Sequence, residues 1–304
     1  MLMPLKYKSL NEFLRQRYGC RVQKIAIDAN FTCPNRDGTI ARGGCIYCNT
    51  RGSGTGAANQ MGIKDQIILG KQRMFLRYKA KKYLVYFQAH TNTYAPIQTL
   101  KKLYDQALSI PGIVGLCIGT RPDCISDEIL DLLQFYAKDY LIWIEYGLQS
   151  IHDKTLDLIN RGHHSDAFRK AINATQNRGI LTCAHLILGL PNETRNHVIQ
   201  TANAVANIKI DSVKLHLLYV VKNTPMENLF RQGLYKCLTP SQYADWVCDV
   251  LERLPPEMII QRLTGEPHPH ELVAPSWALN KRASFALIHK RLEERNTYQG
   301  KLLA

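Results

Sequence analysis

Nowhere in this sequence does apolar character run long enough to cross a membrane. The longest such stretches, for example Leu215–Val221 with His216 inside it, fall far short of the roughly 20 residues a spanning helix needs. The N-terminal MLMPLKYKSLNEFLRQRYG also lacks an uninterrupted apolar run, so no secretory signal is read there. A cytoplasmic chain without a membrane partner is expected. Cysteine pairing is missing as well. There is one C-x2-C, no second one and no H-x3-5-H near it, and the nine cysteines are an odd number. In a cytosolic chain that excludes a disulfide framework and points to thiol or metal chemistry. Acid is scarce: 25 Asp+Glu stand against 39 Lys+Arg, a formal net charge of +14. The excess favours an anionic partner, and charge alone leaves nucleic acid, a phosphorylated metabolite and an acidic surface all open. Repeats and low-complexity tracts are absent. What remains is an ordinary globular composition, 304 residues with 45% hydrophobic and 21% charged, long enough for one large domain or two ordinary ones.

Short apolar segments, nearly continuous in character, predict strands at Val22–Ala29, Tyr83–Ala89, Ile113–Gly119, Leu141–Gly147, Ile180–Leu188 and Ser212–Val220. Helical patterns fall between and after them, at Gln60–Tyr78, Ile97–Ser109, Ser126–Ala137, Asp153–Ile159, Asp166–Arg178 and Glu193–Asn207. Ser126 is a candidate N-cap, with Asp127 and Glu128 where the helix dipole favours anions. Six β-then-α units predict an α/β fold: a partial (β/α)6 parallel barrel with right-handed crossovers. Pro255–Pro256 interrupts the pattern after a helix near Pro240–Leu254. Beyond it a strand at Met258–Leu263, a Pro/His-rich loop and a helix at Lys281–Arg295 predict a small C-terminal α/β extension.

Cys33, Cys45 and Cys48 lie in TCPNRDGTIARGGCIYCN, directly after the first predicted strand. Thiolates are soft ligands suited to zinc or iron–sulfur clusters, and Gly38, Gly43 and Gly44 let the loop turn sharply enough for three of them to converge. Structural zinc wants four protein ligands, whereas three cysteines leave one iron of a [4Fe–4S] cluster open to a substrate or cofactor. Spacing alone leaves both readings standing.

This loop resembles the signature of the radical S-adenosylmethionine (SAM) superfamily, with Tyr47 in the aromatic place before the last cysteine. Eleven residues separate Cys33 from Cys45, a widened gap similar to that of YhcC-like proteins and the elongator catalytic subunit. The resemblance continues through YFQAHTNTYAP (Tyr86–Pro96), GTRPDCI (Gly119–Ile125), IEYGLQSIHDKTLDLINRGHH (Ile144–His164) and HLILGLPNET (His185–Thr194). It implies a core domain over residues 17–254 and an elongator-like extension over 255–304. It implies that Cys33, Cys45 and Cys48 hold a [4Fe–4S] cluster, and that one electron from it cleaves SAM to methionine and a 5′-deoxyadenosyl radical. It further implies cofactor contacts from Tyr47, Asn92, Arg121, Gln149, Arg161 and Ile187. The cysteine loop, Asn92, Arg121, Gln149 and Gly189 all fall just after predicted strands, where the βα loops of a parallel barrel build its site. His90, His185 and His216 lie on or just beyond strands, where they can face the cavity or act as hydrogen-bonded structural groups, the second being the commoner case. Cys117, Cys124, Cys183, Cys237 and Cys248 read as core.

The segment Lys71–Lys82, KQRMFLRYKAKK, carries six cations and no acid, and Lys6–Lys24 holds six cations against Glu12. Phosphate contacts from such patches give salt-dependent RNA binding. With the elongator likeness, this leads to the expectation of a tRNA or other RNA substrate, modified at a base such as the wobble uridine at C5, with a separate electron donor. No acetyl-coenzyme A-dependent reaction is expected of residues 1–304. Two alternatives are carried: an anionic small metabolite, after the likeness to coproporphyrinogen dehydrogenase, and a zinc-stabilised RNA-binding protein without enzymatic activity.

Overall fold

Apolar runs bounded by turn residues become strands that can only be satisfied inside a sheet covered on both faces. In the computed structural model of the chain, which describes residues 6–52 and 61–303, they are β1 (Val22–Ile27), β2 (Lys82–Phe87), β3 (Ile113–Thr120), β4 (Leu141–Gln149), β5 (Leu181–Leu188) and β6 (Ser212–Leu217). The helices are α1 (Leu10–Tyr18), α2 (Ile63–Tyr78), α3 (Ile97–Leu108), α4 (Asp127–Ala137), α5 (Asp153–Leu158), α6 (Ser165–Thr175), α7 (Arg195–Ala206), α8 (Pro225–Arg231), α9 (Pro240–Leu251) and α10 (Lys281–Glu294). Three further strands' worth of chain lies beyond β6: β7 (Val220–Val221), β8 (Ile259–Arg262) and β9 (Leu272–Ala274). The expected helix start at Gln60 and residues 1–5 fall outside the described residues.

The main sheet runs β1-β2-β3-β4-β5-β6-β8, every neighbouring pair parallel. The expected partial parallel barrel is present, and its sheet has seven strands instead of six. The seventh, β8, comes from the C-terminal extension and pairs with β6 through Ser212↔Ile259 and Val213↔Ile260. The strand expected over Ser212–Val220 ends at Leu217. Val220 and Val221 leave the barrel and pair antiparallel with β9.

Side chains on β4 show how the layers arise. Ile142, Ile144, Tyr146 and Leu148 face the helices and join the large core shared with α3, α4, α6 and α7, while Leu141 and Trp143 face the barrel interior. The lower interior is apolar, with Val22, Leu84, Trp143 and Ile259 gathered around Leu14 of α1. Helix α1 therefore plugs the end of the barrel at the strands' N-termini. Ser9 caps it by accepting from Glu12 N, Gly19 ends it in the left-handed conformation, and the Phe13 ring meets Trp143 at 5.5 Å. Its sequence shows only one buried position, Leu14, too little periodicity to be read in advance.

The extension is tied to the barrel rather than hung from it. Arg295 donates to Asp249 Oδ1 at 2.9 Å and Asp245 Oδ1 at 2.6 Å, and Arg195 grips Asp249 with two further bonds. Ser126 caps α4 as expected, accepting from Ile129 N. Gly115 marks the tightest approach between strands, since a Cβ there would stand 1.9 Å from the carbonyl oxygen of Leu141. Backbone cannot yield as a flexible side chain does, so Gly115→Ala is expected to cost at least about 3 kcal/mol, at the top of the overpacking range. Urea denaturation measures this, and an unchanged midpoint would contradict the β3–β4 pairing.

Candidate active site

The loop after β1 crosses the C-terminal ends of the strands. The residues between Cys33 and Cys45 fold back on themselves, with Ile40 N donating to Pro34 O and Gly38 N to Ala41 O. Gly43 and Gly44 take φ values of +83° and +82°, and a Cβ on Gly44 would meet the Arg36 guanidinium at 2.9 Å. Arg36 donates to the carbonyls of Cys48 and Asn49, which closes the loop on its own end. A second set of bonds staples it to the turn after α5: Asn35 Nδ2 to Asn160 O (2.6 Å), Asn160 Nδ2 to Gly44 O (2.8 Å) and Ile46 N to Ile159 O (3.0 Å). The widened cysteine gap thus builds a wedge with its own anchors.

Cys33, Cys45 and Cys48 all line one cavity of about 1170 Å³, counted to its open mouth. Burial, and then the nearby Cys45, push the Cys48 thiol up to about 11. Cys45 is the most enclosed of the three, and its Sγ takes Arg161 Nη1 at 3.6 Å and Asn35 Nδ2 at 3.7 Å. The geometry distinguishes the two metal readings. A tetrahedral zinc with Zn–S near 2.3 Å holds its sulfurs only about 3.8 Å apart. Among the described residues one trio of potential ligand atoms gathers within 4.8 Å, and it is Glu145, Cys183 and His185, not the loop cysteines. The loop offers three thiols and no fourth cysteine within the loop, the donor set of a cluster in which each cysteine takes a different iron.

Of the residues singled out from sequence, Tyr47, Arg121, Gln149, Arg161 and Ile187 line the same cavity. Tyr47 packs against the apolar cluster that includes Ile187 and Leu218. Arg121 is 2% exposed and committed to a bidentate pair with Asp123 and to the carbonyl of Arg161 at 2.8 Å. Arg161 Nη2 donates to Gly147 O at 2.8 Å. Gln149 sits at φ +72°, where β4 shifts register against β5. Asn92 does not reach the cavity. It is fully buried between β2 and β3: Nδ2 donates to Gly119 O at 2.8 Å, the backbone carbonyl accepts from the Tyr104 hydroxyl at 2.6 Å, and Oδ1 has no hydrogen-bond partner among the described residues.

A charged layer beneath the cavity was not read from the sequence. Glu145 is fully buried, and its carboxylate takes Lys24 Nζ at 2.7 Å, His185 Nε2 at 2.8 Å and Lys214 Nζ. Lys24 reaches across the open side of the barrel to Gln261 Oε1 at 2.5 Å, and Lys214 lies 4.1 Å above the Tyr86 ring. Burial pushes the Glu145 carboxyl up, but Lys214 and Lys24 pull it well below the usual carboxylate range. Burial and Lys214 bring His185 down to about 4. Two ammonium groups already neutralise the carboxylate of the Glu145–Cys183–His185 trio. The sequence held one signal: Lys24, Glu145 and Lys214 are charged residues inside mostly apolar strands. It also held a false one. Lys24 belongs to the basic N-terminal stretch, yet its charge is spent inside the barrel.

Comparison with known proteins agrees with this geometry. Residues 36–205 match the Radical SAM superfamily model and residues 210–294 the Radical_SAM C-terminal domain. The uncharacterized protein YtqA of Bacillus subtilis is 41% identical over 300 residues, 97% of this chain and 92% of that protein. Protein YhcC of Escherichia coli is 39% identical over 282 residues, 92% of this chain and 90% of that one. Elongator complex protein 3 of Schizosaccharomyces pombe is 29% identical over 153 residues, 49% of this chain and 28% of that protein. The structure of Elp3 from Methanocaldococcus infernus covers 91% of this chain and 64% of its own, with TM-score 0.64 at 17% identity, a likeness of fold. The chain is an α/β radical enzyme of the partial-barrel type. It belongs to the radical SAM superfamily, whose cofactors are a [4Fe–4S] cluster and SAM. Among the described residues no helix is long and apolar enough to cross a membrane.

Proposed function

We propose that this radical SAM enzyme modifies a base of tRNA, with the wobble uridine at C5 as the target. In this reading Cys33, Cys45 and Cys48 hold the cluster, while Tyr47, Gln149, Arg161 and Ile187 position SAM across the mouth of the cavity. The cofactors supply one-electron cleavage of the sulfonium bond, and the protein supplies binding, orientation and exclusion of water. Arg121 and Asn92 hold the strand ends on which those side chains stand. Gly147 has a defined part: a Cβ there would lie 2.5 Å from Arg161 Nη2 and 2.8 Å from Gln149 Nε2. Gly147→Ala is therefore expected to raise the SAM concentration for half-maximal cleavage roughly tenfold, since small displacements of positioning groups are costly. Iron content should be unchanged. A wild-type SAM dependence would remove Gln149 and Arg161 from this role.

The observation that carries the RNA reading is where the unpaired cations lie. Arg73, Arg77, Lys79 and Lys81 are exposed on the second half of α2 and the turn after it. The Tyr78 ring stands between Arg21 at 4.6 Å and Arg77 at 5.0 Å, which joins this face to the end of α1. Among the described residues none of these cations has an acidic partner. Helix α2 runs away from the cavity mouth, so the patch lies on the outer wall toward the plugged end of the barrel. A small anionic metabolite would need its cations at the cavity, whereas a polyanion as long as the barrel can touch both. Fluorescence anisotropy with bulk tRNA tests this. The triple change Arg73→Glu, Arg77→Glu, Lys79→Glu should weaken binding at least tenfold at moderate salt. It should also lower the log–log salt slope by about 2 to 3. Salt-insensitive binding by the wild type would end the RNA reading.

A further inference from the structure

Two histidines form part of the cavity floor, and the hydrogen bonds around them fix which ring atoms are donors and which are acceptors. Arg262 Nη2 lies 2.6 Å from His216 Nδ1. A guanidinium only donates, so Nδ1 must accept, and the ring proton of a neutral His216 sits on Nε2. That Nε2 is buried and has no hydrogen-bond partner among the described residues. His185 is the complement. Its Nε2 donates to the Glu145 carboxylate at 2.8 Å, which leaves Nδ1 as a lone pair, and no partner for Nδ1 is found among the described residues. Burial and the neighbouring Lys214 keep the His185 ring neutral, and burial and Arg262 do the same for His216. The two rings stand 5.0 Å apart, tilted by 37°. The floor thus offers one unused N–H donor beside one unused acceptor.

A buried N–H without an acceptor is uncommon and costly, and at a functional site it marks a place kept for a ligand. We infer that His216 and His185 read the polar edge of an uncharged heterocycle, His216 Nε2–H donating to a ring carbonyl and His185 Nδ1 accepting from the adjacent ring N–H. A carboxylate or phosphate would satisfy His216 but would face the His185 lone pair and the Glu145 carboxylate. A nucleobase edge with neighbouring C=O and N–H groups satisfies both histidines. Lys214 and Arg262 stand behind the rings and are not the contacts themselves; they orient His185, through Glu145, and His216.

This inference rests on the proposed RNA substrate, and the experiment separates the two. Anaerobically reconstituted holoenzyme is given SAM, a chemical reductant and unfractionated tRNA from cells lacking the gene. The 5′-deoxyadenosine formed is measured with and without RNA. His216→Phe and His185→Phe should each lower the RNA-stimulated rate at least tenfold, the scale of a lost buried hydrogen bond. RNA-independent cleavage, the cluster's electron paramagnetic resonance signal and bulk tRNA affinity should stay within twofold of wild type. His216→Asn, which keeps an N–H donor, should recover part of the rate, as a merely structural role would not predict. If the wild type is stimulated by tRNA and both Phe variants keep that stimulation, the edge-reading assignment is overturned alone. If tRNA does not stimulate the wild type, the substrate reading falls and takes this one with it.

Discussion

Serine at position 45 should yield a folded protein that binds little iron and cleaves SAM at background level. Cys45 is the cysteine the protein invests in most. It is buried, and the Arg161 guanidinium and the Asn35 amide both point at its sulfur. A serine hydroxyl fits the space and still accepts from both donors, so no buried cation is stranded and the fold should hold. A neutral hydroxyl is a poor substitute for a thiolate on iron, and two thiolates cannot hold a cluster that needs three. The expected readout is loss of iron and sulfide after anaerobic reconstitution, with SAM cleavage falling below detection. The thermal midpoint of the metal-free protein should move by only a few degrees. A Cys45→Ser protein that cleaved SAM at the wild-type rate would remove the loop from its assigned role.

Glu145→Gln should be among the most destabilising isosteric changes available in this chain. The carboxylate is the shared partner of Lys24 and Lys214 and is itself fully buried, with the Lys24 side chain about one-fifth exposed. Removing its charge leaves two buried ammonium groups with no counter-ion, and breaking such a pair costs about 3–5 kcal/mol. Total stability of a domain is only about 5–15 kcal/mol. The sign of the pH dependence follows from the depressed Glu145 pKa. Its ion pairs contribute fully above the unfolded carboxylate value of about 4.3, and that contribution fades as pH falls toward the folded value. The gap between wild type and Glu145→Gln in urea should therefore be constant from pH 6 to 8 and shrink below about pH 4. Removing both lysines as well, with Lys24→Met, Lys214→Met and Glu145→Leu together, should restore most of the loss, because an apolar trio leaves no stranded charge. A gap that grew as the solution was acidified would contradict the network.

The fold was legible wherever one strand or helix decided its own fate. The six strands of the barrel core announce themselves because burial on both faces leaves no polar alternation to hide them. Ser126 announces α4 because its hydroxyl has a specific N–H to accept. Helix α1 did not, since it has a cap at each end but only one fully buried position, Leu14, with Leu10, Phe13 and Tyr18 packed at its margins. Strands β7 and β9 did not either, because two or three residues hold no period. In the site, Cys33, Cys45, Tyr47, Cys48, Arg121, Gln149, Arg161 and Ile187 line one cavity; the cysteine loop and Arg121 follow strands and Gln149 ends one, whereas Arg161 follows α5 and Ile187 lies within β5. Asn92 shares that placement after a strand but is not among the residues lining the cavity, and its Nδ2 is given to Gly119 O, a matter of side-chain direction that position along the chain does not encode. The charged layer was hidden for another reason. Lys24, Glu145, Lys214 and Arg262 come from β1, β4, β6 and β8, and only closure of the barrel makes them one group. The basic N-terminal stretch misled in the same way, because a lysine's address, surface or interior, is set by strands more than 100 residues away.

The most direct test of the account is the nucleoside composition of tRNA. Total tRNA from a strain lacking the gene, and from the same strain carrying either the wild-type chain or Cys45→Ser, is digested and compared by mass spectrometry. The account predicts that one modified uridine disappears in the deletion strain and its less-modified precursor accumulates. Wild type should restore the modified form and Cys45→Ser should not. Identical nucleoside profiles in all three strains would contradict the proposal that tRNA is the substrate.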